Sequence, residues 1–449
     1  MSVMQSFKPG ATRRIAVIGA GISGLSAAWL LSQRHLVSLF EADDRLGGHS
    51  NTVDAAGLAV DTGFIVYNEK TYPNLTALFD HLGVATRETD MSFGVSLDGG
   101  RLEYSGSDLR GLFAQPRNLV SPRFASMLKD LLRFYRNAPR DLARLGLDSL
   151  DSYLDAESYG EPFRQDHLYP MAAAIWSTPA TDVGRYPAAA FVRFCENHGL
   201  LQISDRPAWR TVTGGSRRYV EALRRRFHGR IVSGCRVRAV RRFDGGVTVV
   251  ASDGVEHLFD EVVVATHADQ ALALLEQPTA AERELLGAFL YSRNEAVLHS
   301  DDRLMPRRRA AWSAWNYLAD RRDEPRLCVT YWMNRLQHLP EDRPLFVTLN
   351  PVVPPAAESV HYRATYEHPT FDGRAMAAQK RLWSLQGQGG VWYCGAYFGA
   401  GFHEDGLQAG LAVAEELGGV RRPWRVADES GRIALSTAGT VPRQTERVR

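Results

Sequence analysis

A short apolar run, Ile15 to Ile18, leads directly into Gly19-Ala20-Gly21-Ile22-Ser23-Gly24 and then into an Ala- and Leu-rich stretch, Leu25 to Leu31. The apolar run has the pattern of a strand buried on both faces, and the stretch after the glycines reads as a helix. The glycines at 19, 21 and 24 fit G-x-G-x-x-G, and each has a mechanical reason. Gly19 allows the tight turn, Gly21 lets a pyrophosphate come close, and Gly24 lets the helix pack against the strand. The pyrophosphate would then sit on the unpaired N–H groups at the positive end of the helix dipole. His35 to Glu41 is a second apolar strand ending in an acid, with Glu41 20 residues beyond Gly21. There a carboxylate can take both ribose hydroxyls. Strand, glycine turn, helix, strand and acid agree on a dinucleotide site at Gly19, Gly21, Gly24 and Glu41.

The 449-residue chain has room for two or three domains, or for one core with large insertions. From about Tyr67 to Leu201, helical stretches alternate with Pro and Gly breaks, and from Arg230 the pattern turns to strands and hairpins. Glu261 to Thr266 and Val391 to Cys394 read as further buried strands, and Gly406 to Leu417 as a helix. A formal net charge of +2 gives no global case for a nucleic-acid partner. The four Cys are scattered singly with no CxxC, which points to neither a disulfide framework nor a zinc site, and no metal is expected. The start has no apolar core for a secretory signal, and no run of about 18 apolar residues predicts a membrane span. The expected compartment is cytoplasmic. Residues 1–12 read as a loose leader and 421–449 as a mobile tail.

Arg45-Leu46-Gly47-Gly48 follows Glu41 at once, and Asp61-Thr62-Gly63 closes a hairpin soon after. With these, the sequence resembles the flavin-containing amine oxidase superfamily, which also holds protoporphyrinogen oxidases and carotenoid desaturases. Thr213-Gly214-Gly215 looks like the family's central glycine pair, and Cys235-Arg236-Val237 like the segment whose backbone pairs with adenine. Gly395 to Gly399 through Gly406 to Gly410 resembles its closing motif around the ribityl chain and isoalloxazine. The resemblance implies an α/β fold: a discontinuous Rossmann-type FAD-binding domain over 12–66, 209–290 and 388–420. A mixed sheet-plus-helices substrate domain over 67–208 and 291–387 would be inserted in it. It implies FAD contacts from Arg45, Gly47, Gly48, His49, Val237, Gly395, Glu404, Asp405 and Leu407. Glu404 and Asp405 have two readings, as ribityl acceptors or as caps of the following helix, and both can hold. His49 is read as hydrogen-bonding near the cofactor. Monoamine oxidases attach flavin through a Cys upstream of the closing motif, and Tyr362 to Gln388 contains none, so non-covalent FAD is expected. Cys394 reads as a buried thiol.

Amine oxidases carry a Lys in the strand after the central domain, but Asn294-Glu295-Ala296-Val297-Leu298 has none, with Glu295 nearest its position. The substrate region is rich in aromatics: Trp312, Trp315, Tyr317, Tyr331, Trp332, Tyr366, Phe371 and Phe398 either fill a core or line a long apolar cavity. Pro122 to Leu147 places Phe124, Leu128, Leu131, Leu132 and Tyr135 at helical spacing among Arg123, Lys129, Arg133, Arg136, Arg140 and Arg144. Such a helix either lies on an anionic membrane surface, making the protein peripheral on the inner membrane, or packs on its own domain. Gly47 to Thr52, Tyr331 to Gln337 and the block from His368-Pro369 to Gly410 resemble a bacterial subgroup of NAD/FAD-binding proteins. Relatives of that subgroup are associated with cyclopropane-type fatty-acyl methyltransferases, and some desaturate methylated acyl chains on the way to furan fatty acids. The resemblance thus implies an FAD-dependent acyl-chain dehydrogenase acting on a methyl-branched unsaturated acyl group of phospholipid. Hydride would pass to flavin N5 and a base would remove a proton, with Glu295, His403 and Tyr67 as candidates. Electrons would leave to oxygen, a quinone or another protein. A redox-neutral double-bond isomerase, an amine oxidase and a flavin-loaded binding protein are the alternatives.

Overall fold

The computed structural model describes residues 11–146, 148–176, 183–197, 199–202, 207–320 and 328–435. The first ten residues of the expected leader and residues 436–449 of the expected tail lie outside the described residues. The chain divides into two compact units, one of residues 1–48, 220–289 and 374–449, the other of 49–219 and 290–373. These changeovers differ from those expected at 66, 208 and 387. The hairpin Thr52–Ala55 and Leu58–Asp61 makes its contacts inside the second unit, because Asp61 bonds there to Ser216 and Gln337.

The first unit is built on a five-stranded parallel sheet. Strand β1 (Arg14–Ile18) lies between β2 (Leu36–Phe40) and Glu261–Val264, with Arg230–Val232 and Val391–Tyr393 at the edges. Both faces of a parallel sheet are covered, which is why its strands read as continuous apolar runs. Helix α1 (Ile22–Leu31) is buried along its whole length and packs on the closing helix, His403–Gly418. The contact needs glycine: a Cβ at Gly410 would stand 2.2 Å from the carbonyl oxygen of Ser23. An antiparallel meander, Val237–Phe243, Gly246–Ala251 and Glu256–Phe259, follows the 230–232 edge strand in the chain.

The first fifteen residues of the expected tail are packed. Arg422 is buried and bonds through Nε and Nη2 to both oxygens of Glu415 (2.7 and 3.0 Å). Arg432 pairs with Asp405 at 2.6 Å, and Ile433 is buried. Two guanidinium–carboxylate pairs, each with one buried partner, hold 421–435 where a polar, aperiodic sequence suggested mobility.

The second unit carries a seven-stranded mixed sheet and most of the helices. Among the latter, α2 (Pro122–Asp141) starts on Ser121, whose hydroxyl accepts the N–H of Phe124. Its buried stripe is Phe124, Met127, Asp130, Phe134 and Ala138, not the expected Phe124, Leu128, Leu131, Leu132 and Tyr135. The helix is turned so that Leu132 faces solvent. Next to one edge of the sheet runs β3 (Leu290–His299), paired antiparallel with the edge strand β4 (Val360–Thr370) on one side and with Phe346–Leu349 on the other. Trp312, Trp332, Phe346 and Met305 form a buried cluster, with the Arg309 guanidinium 3.9 Å above Trp312. Of the two readings of these aromatics, the core one describes Trp312 and Trp332. Among the described residues no helix is long and apolar enough to cross a membrane.

Candidate functional site

In the first unit, β1 delivers the chain into a turn that the glycines alone permit. Gly19 has φ +97°, and a Cβ on Gly24 would lie 1.9 Å from the carbonyl oxygen of Gly19. At Gly21 the opposite holds: no atom lies within 4 Å of where a Cβ would be. That open space stands at the N-terminus of α1, which has no side-chain cap and no acid in its first turn. Uncapped N–H groups at the positive end of a helix dipole, with room in front, fit a pyrophosphate. The Gly47-Gly48 turn closes on this place. The N–H of Gly47 donates to the carbonyl of Ala20 (2.8 Å), and Arg45 Nη1 donates to the carbonyl of Gly48 (2.8 Å). Arg45 thus braces the second glycine pair rather than standing clear of it.

Glu41 ends β2 beside this turn. Its Oε2 accepts the N–H of Ala20 at 2.7 Å and its Oε1 that of Asp43 at 3.0 Å. The acid therefore orders the turn as well as offering lone pairs to a ribose. Val237 is buried at the start of its strand, and Leu407 is buried in the closing helix. Gly395 lies against the Tyr397 ring, in extended backbone. Glu404 and Asp405 are both fully buried. Asp405 Oδ2 accepts the N–H of Phe402 (2.8 Å) in a capping box, and both its oxygens face Arg432. For Asp405 the capping reading is the one the geometry carries. Glu404 Oε1 accepts from Gln408 Nε2 at 2.9 Å. Cys394 is buried and its thiol pKa is pushed up by burial, as expected of an inert core thiol.

In the second unit the structure brings together residues from three of the sequence segments. The ring of His49 lies 5.1 Å from that of Tyr366 and 5.4 Å from that of His368. Asn51 Nδ2 donates to the hydroxyls of Tyr366 (3.0 Å) and Tyr362 (3.2 Å), and Thr62 Oγ1 is 2.7 Å from the Tyr366 hydroxyl. Beneath this cluster Asp61, fully buried, accepts from Thr52 Oγ1 (2.6 Å), from the N–H and hydroxyl of Ser216, and from Gln337 Nε2 (3.1 Å). Burial pushes the Asp61 pKa up to about 6 against the pull of these hydrogen bonds.

The orientation of His368 follows from its partners. The N–H of Glu295 donates to Asn350 Oδ1 (2.9 Å), which leaves Asn350 Nδ2 to donate to Asn294 Oδ1 (2.7 Å). Asn294 Nδ2 then faces His368 Nδ1 at 3.1 Å. An amide NH2 can only donate, so Nδ1 is the acceptor and the neutral ring carries its proton on Nε2. Asn294, Asn350, Tyr362 and His368 were missed in the sequence. The signal was there for two of them: Tyr362 and His368 share strand parity with Tyr366 on β4 and so one face.

None of the three base candidates occupies a base's setting. Glu295 is half-exposed and ion-paired to Arg363 at 2.6 Å, because strand alternation sends Asn294 inward and Glu295 outward. Tyr67 is buried among Tyr72 and Phe79, and burial raises its pKa above the ordinary phenol value. His403 is the first residue of the closing helix, and desolvation pushes its pKa down to about 3, a poor proton acceptor at neutral pH. A groove of about 810 Å³ in the second unit is lined by Asp151, Asp155, Glu161, Asp320, Arg164 and Tyr169 among others. Its acids make it unlike the long apolar cavity that an acyl chain would need. Among the described residues no cluster of His, Cys, Asp and Glu could hold a metal ion.

A parallel sheet with a phosphate-binding glycine turn, joined to a second unit with a mixed sheet, defines a dinucleotide-binding flavoprotein. Residues 22–336 match the family described as flavin containing amine oxidoreductase, and the chain belongs to that family. Coproporphyrinogen III oxidase of Mycobacterium bovis is 26% identical over 304 residues, covering 62% of this chain and 64% of the relative. AofH of Mycobacterium tuberculosis, named as a flavin-containing monoamine oxidase, is 26% identical over 287 residues. The match spans 62% of AofH, so the chain covers less than two thirds of these curated relatives. Among solved structures, putrescine oxidase bound to putrescine has a TM-score of 0.65 at 17% identity, covering 91% of this chain and 99% of its own. The CLA-producing fatty acid isomerase from P. acnes has a TM-score of 0.63 at 16% identity, covering 90% and 98%. These likenesses are likenesses of fold. The cofactor is FAD.

Proposed function

We propose that this oxidoreductase dehydrogenates the acyl chain of a lipid, in the first instance a methyl-branched unsaturated fatty acyl group of a phospholipid. The observation that carries the reading is the cluster of His49, Asn51, Tyr366 and His368, with Asp61 and Gln337 beneath it. Each of the segments that resemble the acyl-desaturating subgroup, 47–52, 331–337 and the block from 368, contributes: His368 lies against His49, and Thr52 and Gln337 both bond to Asp61. Strand β3 supplies no Lys, and its inward residue at the matching place is Asn294, which counts against an amine substrate. FAD, when bound, supplies the two-electron acceptor. The chain's own part is to hold the cofactor on the Gly19–Gly24 turn and to present the neutral, Nε2-protonated His368 as a fixed hydrogen-bond donor. Electrons then pass to an acceptor still to be identified.

The likeness in fold to a fatty acid isomerase supports a second reading, a redox-neutral shift of a double bond. Lipid profiling of cells with and without the protein separates them. A dehydrogenase yields lipids lighter by two hydrogens, whereas an isomerase redistributes lipids of equal mass. An unchanged lipid profile, with an amine consumed instead, would sink both.

A further inference from the structure

Twelve large apolar side chains stand exposed among the described residues, and four of them fall within 24 positions of one another: Leu109 (75%), Leu119 (65%), Val120 (82%) and Leu132 (53%). They belong to one region. Leu109 opens a short helix, Leu109–Leu112, capped by Phe113, whose ring packs 6.2 Å from that of Phe124 in the first turn of α2. Leu119 and Val120 end the turn that leads into α2, and that turn is pinned from below. Gln115 Nε2 donates to the carbonyl of Gly100 (2.7 Å) and Asn118 Nδ2 to that of Glu103 (3.1 Å). The apolar groups are thus held outward by a fixed backbone.

The charges around them are mostly positive, with Asp108 exposed beside Leu109. Residues 109–140 contain seven basic side chains and one acid, Asp130, in a chain whose net charge is only +2. Two of the seven are spent inside the unit: Arg123 pairs with Asp166, and Arg133 pairs with Asp130 while lying 4.0 Å over the Tyr159 ring. Arg110, Arg117, Lys129, Arg136 and Arg140 are exposed, and the polar partners found for Arg117 and Arg136 are the neutral Gln115 and Asn137. Along α2 the outward stripe runs Ala125, Lys129, Leu132, Arg136 and Arg140, at helical spacing of three and four residues. From Ala125 to Arg140 that stripe runs roughly 22 Å along the helix.

We propose that this face, 109–120 with the outward stripe of α2, docks the protein on an anionic lipid surface, with Leu109, Leu119 and Val120 entering the headgroup layer. Cations alone would suit a nucleic acid equally well, but phosphates give exposed Leu and Val nothing, whereas a bilayer rewards both. Each cation near such a surface strengthens binding about fivefold, and each apolar side chain that enters it about tenfold or more.

The test uses the full-length FAD-loaded protein and vesicles of phosphatidylcholine with about one third phosphatidylglycerol, all with saturated chains, read by co-sedimentation. No turnover is measured and no desaturable chain is present, so failure here is separate from failure of the acyl-lipid reading. Wild type should bind at low salt and be released as the Debye length falls from about 10 Å to about 3 Å at high salt. K129Q/R136Q/R140Q should lower the partition coefficient about a hundredfold, and Leu119→Ser with Val120→Ser by about a hundredfold or more, with the flavin spectrum unchanged. Wild type that ignores these vesicles at low salt would overturn the proposal. So would retention insensitive to the Leu119 and Val120 changes, or tighter binding to a DNA duplex than to the vesicles.

Discussion

Asn294 reaches His368 as a donor because Asn350, itself fixed by a backbone N–H, leaves it no other orientation. The tautomer of a histidine near the candidate site is therefore set three groups away. The Nε2-protonated form should be seen directly in long-range 1H–15N spectra of the ring. Asn294→Asp replaces the donor with an acceptor, and the proton should move to Nδ1; a ring already protonated at Nδ1 in the wild type would refute the relay. Glu41 carries a different double duty. Its carboxylate takes the backbone N–H groups of Ala20 and Asp43, and it is also the acid expected to take a ribose. Glu41→Ala should weaken FAD binding by about 1.5–3 kcal/mol, tenfold or more in Kd by fluorescence titration, and an undiminished affinity would mean the acid is misassigned. The turn and its acid were legible in the sequence because they are local: six residues and one strand length fix them. Glu295 was misplaced because the phase of a strand, which decides inward from outward, is invisible without a neighbour to align it.

At the scale of elements, long-range pairs decide what periodicity cannot. The closing helix begins with two buried acids, and the one that caps it, Asp405, is neutralised by Arg432 from 27 positions on. Arg432→Ala would leave a buried carboxylate without its counter-charge and should cost about 3 kcal/mol, read as a lowered midpoint in chemical unfolding. If that midpoint does not move, residues 421–435 are the loose tail their composition suggests. Helix α2 shows the same limit. Its existence and its basic character were plain, but the buried stripe through Met127 and Phe134 depends on which neighbours pack beneath it. Leu128 and Leu132 are as apolar as the residues that went inside.

For the whole molecule, the first unit could be read almost entirely from sequence, because its function is performed by backbone at glycines. The second could not, since its cluster draws on 49–62, 294, 337, 350 and 362–368, segments joined only by the fold. Asp61 is where that unit's stability meets pH. Its folded pKa, about 6, lies above the ordinary carboxylate value of 3.8. Its contribution to stability is therefore fully present below pH 3.8 and is lost as pH rises through 6, a change of about 3 kcal/mol. The difference in unfolding free energy between wild type and Asp61→Asn should show that slope between pH 4 and 6 and be flat above; a flat difference throughout would mean the hydrogen bonds fully offset burial. The central claim is that an acyl lipid is the electron donor. Mixing the purified FAD-loaded protein anaerobically with phospholipid bearing a methyl-branched unsaturated chain should bleach the flavin absorbance in one turnover, with product lighter by two hydrogens. Flavin that stays oxidised with that lipid, yet bleaches with an amine, would contradict it.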